Sequence, residues 1–117
     1  MTTSSLNSNL IRFEESVPEV DTVATIPFEP EHFIHSHHLD FISSYDDLDF
    51  LIFASVPLPS GHRISLLRHQ NAPYPGMEIC LTPNLSSPST VLSEALHVLN
   101  ISLEDLAWVH PDITLSN

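Results

Sequence analysis

Phe50-Leu51-Ile52-Phe53-Ala54-Ser55-Val56, running into Pro57-Leu58-Pro59-Ser60-Gly61, decides how the rest of the chain is read. An aromatic and β-branched run predicts a strand over 50–56, and the Pro/Gly cluster behind it predicts the turn that ends it. Beyond that turn, Arg63-Ile64-Ser65-Leu66-Leu67-Arg68 alternates in part, which predicts a second strand over 62–69 with Ile64 and Leu66 inward and Arg63 and Ser65 outward. Gln70 to Gly76 is a second loop of strong turn chemistry. Met77, Ile79 and Leu81 then alternate with Glu78, Cys80 and Thr82, predicting a third strand over 77–82. Connections this short predict an antiparallel meander with one buried face.

Two helices are expected downstream. Ser87 is placed to cap the first, over 88–99, with Pro88 at the first helical position, where a missing N–H costs nothing. Val91, Leu92, Ala95, Leu96 and Leu99 share one face, and Asn100 suits a left-handed ending. Ser102 and Asp105 resemble a capping box, with Ile101 and Leu106 as its hydrophobic staple, so a short helix is expected over 103–108 before Pro111. The fold class expected is therefore α+β: a small antiparallel sheet of three to four strands, one packed helix and a short C-terminal one, in a single domain.

Towards the N-terminus the reading weakens. Residues 1–9 are Ser-, Thr- and Asn-rich and are expected to be disordered. Residues 10–48 form an acidic, histidine-rich leading segment ahead of a core over 49–117. Within it, 10–23 suits an edge strand or loose docking, and 31–48 suits a short helix as well as an irregular path. Pro18, Pro27 and Pro30 argue against a long helix.

Charge narrows the classes of function. The 117 residues hold fifteen acids, three arginines and no lysine, a net charge of −12. Residues 1–50 carry ten acids and one arginine, and 51–117 carry five acids and two arginines. Phosphate backbones need clustered cations, so direct nucleic-acid binding is not expected. Cys80 is the only cysteine, excluding an intrachain disulfide and fitting a reducing compartment. No apolar run reaches the ~20 residues that span a bilayer, and the first residues lack a secretory pattern, so a soluble, cytoplasmic protein is expected.

Metal-binding residue types concentrate in one place. His32, His35, His37 and His38 with Asp40 offer imidazole and carboxylate ligands for zinc or another transition metal. His32 and His35 share a face if helical, His35 and His37 if extended. The spacing matches no standard zinc pattern, and the competing reading is an exposed polar segment. Asp46, Asp47 and Asp49 lack the glycine and closing glutamate of a calcium loop and read as a solvated turn. Cys80 lies mid-strand, where a small buried residue is the plainer reading than a nucleophile. Trp108 and His110 read as packing and capping groups.

From Phe50 onward, the order strand, strand, strand, helix, then Asn100-Ile101-Ser102-Leu103-Glu104-Asp105-Leu106 and His110-Pro111, resembles the small cyanobacterial XisI family of fdxN-element excision controlling factors. The resemblance implies a small sheet with a helix, and an accessory role beside other proteins. A strand resembling Gly-Lys-Ile-Trp in that family is Gly76-Met77-Glu78-Ile79 here, and the histidine-rich half has no counterpart, so no functional residue carries over. The expected function is a protein-binding or regulatory module without catalytic activity, its partner a protein of basic or otherwise complementary surface. The alternative is a metal- or small-ligand-binding protein using the His32–Asp40 segment.

Overall fold

The structure, a computed structural model, describes residues 11–12, 20–45 and 49–115. Its elements in chain order are β1 (Ile11–Arg12), β2 (Asp21–Ile26), α1 (Pro30–His37), β3 (Ile42–Tyr45), β4 (Phe50–Pro57), β5 (Arg63–His69), β6 (Met77–Leu81), α2 (Pro88–Val98), a 3₁₀ turn (Leu103–Asp105) and β7 (Trp108–Val109). The strands make one seven-stranded sheet in the order β1-β3-β4-β5-β6-β2-β7. Every pairing is antiparallel except that of β1 with β3. The α+β class and the β4-β5-β6 meander are as the sequence implies, with a sheet larger than three or four strands.

The additional strands come largely from the leading segment. β2 pairs with β6 on one side and β7 on the other, so it lies inside the sheet. Its register against β6 shifts between Thr22 and Ala24. Such a bulge lets two residues oppose one, which moves the strand's alternation by one position. Residues 22 and 25 are three apart and would face opposite ways on a regular strand. Here Thr22 pairs with Cys80 and Thr25 with Glu78, so both threonines lie on the face of those two residues.

The main core fills the other face. Ile26, Ala54, Val56, Ile64, Leu66, Met77, Ile79 and Leu81 are buried there against Val91, Leu92, Ala95 and Leu96 of α2 and Phe33 of α1. The α1 helix, eight residues long, begins at Pro30 and ends on His38 in the left-handed region (φ 56°). Glu29 anchors its start: the Gly76 N–H donates to Oε2 (3.0 Å), while Arg68 Nε lies 3.4 Å from Oε1. At the far side, Glu94 of α2 accepts from the Ser60 N–H (2.8 Å) and hydroxyl (2.6 Å), tying the helix to the β4–β5 turn.

Several local expectations need correction. The sheet has two buried faces, because Leu51, Phe53, Leu67 and Cys80 form a second cluster behind the main core. Ser65, read as outward, is buried, and Cys80 is the small buried residue that the sequence suggests. Ser87 makes no side-chain cap; its ψ of 67° is far from the extended 160° of Ser102, which does hold a capping box. Pro88 does open the helix, and Asn100 is left-handed (φ 58°), with the Ile101 N–H donating to the Leu96 carbonyl (2.9 Å) as in a Schellman ending.

The expected helix over 103–108 is a single 3₁₀ turn. The Asp105 carboxylate accepts from the Ser102 N–H (3.2 Å) and hydroxyl (3.0 Å), so the start is capped. The chain then extends, because the Ala107 and His110 N–H groups donate to the Thr25 and Val23 carbonyls (2.8 Å each). Pairing along β2 satisfies backbone groups of both segments and wins over helix propensity. Residues 1–9, Asp46 and Asp47, for which disorder and a solvated turn are expected, lie outside the described residues.

Candidate functional site

A charged residue inside an apolar strand marks the site. Glu78 follows Met77 and precedes Ile79 and Cys80, and strand alternation alone puts it on the face away from α2. Side chains on that face follow one rung of the sheet: Trp108, Thr25, Glu78, Leu67, Phe53 and Ile42 are successive cross-strand partners. Trp108, at the edge, is 44% exposed, so it does not pack as the sequence suggests. His110 beside it caps a turn, its Nδ1 accepting from the Asp112 N–H (3.0 Å).

The Glu78 side chain is only 14% exposed, and its hydrogen-bond partners come from three elements. The Thr22 hydroxyl donates to Oε1 (2.6 Å) and the Tyr74 hydroxyl to Oε2 (3.0 Å). His69 Nδ1 stands 3.5 Å from Oε2, at the limit of a useful bond. Thr22 reaches Glu78 only because of the β2 bulge. Its oxygen also lies 3.6 Å from Cys80 Sγ. Thr22 therefore bridges the carboxylate and the thiol. Cys80, Thr22 and Glu78 form one hydrogen-bonded chain.

The electrostatics follow from this geometry. Burial, countered in part by the Thr22 hydrogen bond and reinforced by the charges of Glu78 and Asp21, pushes the Cys80 thiol up to about 12. A thiol held protonated so firmly is a poor nucleophile. Burial, followed by the hydrogen bond and charge of Glu78, raises the Tyr74 hydroxyl above its ordinary value, so it remains a donor.

These groups wall an open cleft of about 460 Å³, within the ~300–1,000 Å³ range of ligand clefts. Its rim is the β5–β6 loop, residues Asn71 to Tyr74, together with Asp49. Asp49 pins that loop: Oδ1 accepts from the Phe50 N–H (2.7 Å) and Asn71 Nδ2 (3.0 Å), and Oδ2 from the Asn71 N–H. It is a fixed staple where the sequence suggests a solvated acid. A second cleft of about 430 Å³ lies between Asp21, Pro83 and His110, and a third of about 280 Å³ beside Phe50 and Arg68.

The histidines are distributed differently. His32 stacks on Phe28 (4.7 Å between ring centres) and meets Phe33 edge-on. His37 tilts against Phe33, its Nδ1 2.7 Å from the Ser36 hydroxyl. His35, His38 and Asp40 are exposed. Among the described residues no three His, Cys, Asp or Glu side chains converge as a metal would require.

Sequence reasoning missed Glu78, Thr22, His69 and Tyr74. The available signal was an acid in the centre of an otherwise apolar strand. No helix among the described residues is long and apolar enough to cross a membrane. No protein family, curated protein or solved structure matches this chain.

Proposed function

We propose that the chain is a non-catalytic binding module whose Glu78 face receives a basic segment of a protein partner. The observation that carries this reading is the disposition of charge. Asp21, Glu29, Glu31, Asp40, Glu104 and Asp112 are exposed, while Arg63 and Arg68 are engaged by groups of the chain itself. Arg68 donates to the Gly76 carbonyl (2.6 Å) and pairs with Glu29, and Arg63 donates to Ser55 (3.0 Å). The outward field is therefore negative, which draws basic partners in and repels phosphate backbones. The raised pKa of Cys80 supports a role without nucleophilic chemistry.

Calorimetry with a lysine- and arginine-containing peptide, against an acidic control, tests the proposal. Between about 0.1 M and about 1 M salt the screening length shrinks from about 10 Å to about 3 Å. Affinity for the basic peptide should fall at least about tenfold over that range. Equal binding of both peptides, or affinity indifferent to salt, overturns it.

A further inference from the structure

We infer that the cleft over Glu78 is an anchor for one arginine side chain of the partner. The inference rests on the proposed binding of a basic protein segment and specifies where and how that segment is held.

Acceptor geometry makes the case. Among the described residues, Glu78 meets only Thr22, Tyr74 and His69. A carboxylate has about four acceptor positions, two on each oxygen. One hydroxyl occupies one position on Oε1 and another occupies one on Oε2. Each oxygen therefore keeps one acceptor position, and the weakly placed His69 nitrogen is the sole competitor for the one on Oε2. Two acceptors side by side match the parallel N–H groups of a guanidinium, whereas a lysine ammonium is a point charge that cannot use them as a fork.

The carboxylate is also short of positive charge. It is largely withdrawn from water, yet its described partners are two neutral hydroxyls and an imidazole. A guanidinium supplies that charge and tolerates partial dehydration better than an ammonium does. The walls suit the planar group as well. Tyr74 and His69 offer aromatic surfaces for stacking, and Pro73 and Ala72 offer apolar contact for the methylene stem. Hydrogen bonds from Thr22 and Tyr74 fix the carboxylate before a ligand arrives, so little ordering remains for binding to cost. The Asp49 staple fixes the rim in the same way.

The other features of the molecule carry less. The histidines of α1 do not converge, and the cleft beside His110 has no comparably fixed charged group.

The test uses the full chain, an arginine-rich peptide and its all-lysine counterpart, with affinities from calorimetry and contacts from amide chemical shifts. The arginine peptide should bind roughly tenfold more tightly. Glu78→Gln, which keeps the shape and one acceptor oxygen, should abolish that preference while leaving lysine-peptide affinity nearly unchanged. Ala72→Trp, which fills the cleft from its rim without touching the Glu78 network, should abolish it too. Circular dichroism confirms that each variant is folded. A tenfold preference that survives both substitutions overturns the anchor, as does equal affinity of the wild-type chain for the two peptides with salt-sensitive binding intact. If neither peptide binds, the binding-module reading fails and the anchor with it.

Discussion

Gly76→Ala should be far more damaging than Gly61→Ala, although both glycines end turns with positive φ (94° and 100°). Positive φ costs an alanine about 1–2 kcal/mol at either position. The difference lies in space. At Gly61 an added Cβ meets nothing within 4 Å, but at Gly76 it would stand 1.8 Å from the Ile26 carbonyl oxygen and 2.8 Å from Pro27 Cα. Both obstacles are backbone, so β2 or the β5–β6 loop must move by more than 1 Å.

That movement acts on the sheet where Ile26 pairs with Met77, two fully buried side chains. It also disturbs the Glu29 and Arg68 hydrogen bonds at the Gly76 amide and carbonyl. Overpacking of this kind costs about 1–3 kcal/mol, and a weakened hydrogen bond about 1 kcal/mol. Gly76→Ala should then lose about 3–5 kcal/mol, against about 1–2 kcal/mol for Gly61→Ala. Urea unfolding followed by far-ultraviolet circular dichroism measures both. With a slope of about 2 kcal/mol per molar urea, the two midpoints should differ by about 1 M or more. Midpoints within about 0.3 M of each other would refute the close approach of the β5–β6 loop to β2.

Other consequences can be checked on the same protein. Thr22→Val deletes the donor to Glu78 and the hydrogen-bond partner of Cys80, and should cost about 1–3 kcal/mol in urea unfolding, with Thr22→Ser recovering most of it. Stability should fall at high pH. Cys80 ionises near 9.0 when free of the fold and at about 12 within it, so below pH 9 both states keep the proton. From 9 to 12 only the folded chain keeps it, and about 4 kcal/mol of stability is lost across that window. A Cys80→Ala variant should decline less steeply there, and parallel pH profiles would show that the thiol plays no part. Zinc titrated into untagged protein should bind no more tightly than about tens of micromolar, because the α1 imidazoles do not converge. A tight one-to-one site lost on replacing His35 and His37 would contradict that.

Local signals carried the part of the fold that is legible in sequence. The β4, β5 and β6 strands announce themselves by apolar alternation and flanking Pro/Gly turns, and α2 by its apolar face and Asn100. What stayed hidden depends on distant partners. The stretch Asp21-Thr22-Val23-Ala24-Thr25-Ile26 does not alternate cleanly, because its bulge resets the alternation midway. Trp108-Val109 is a strand only because the outer edge of β2 is there to pair with, and without that edge the capped Ser102 turn reads as a helix start. The short α1 helix is half polar, so its periodicity is faint. The site was hidden for the same reason: Thr22 and Glu78 are 56 residues apart and meet through the bulge. By contrast the histidines stand together in sequence, yet among the described residues no three of them gather as a metal site would need. Proximity along the chain was the misleading signal, and an isolated acid in a buried strand the informative one.

The central claim is that a basic segment is received on the Glu78 face. Mapping amide chemical-shift changes as an arginine-containing peptide is titrated into the isotope-labelled chain tests it most directly. The account predicts changes concentrated at Thr22, Thr25, His69, Tyr74, Glu78 and Trp108, weakening together as salt is raised. Changes centred on Glu94 and Glu104, across the sheet beside α2, or scattered over every exposed acid, would contradict it.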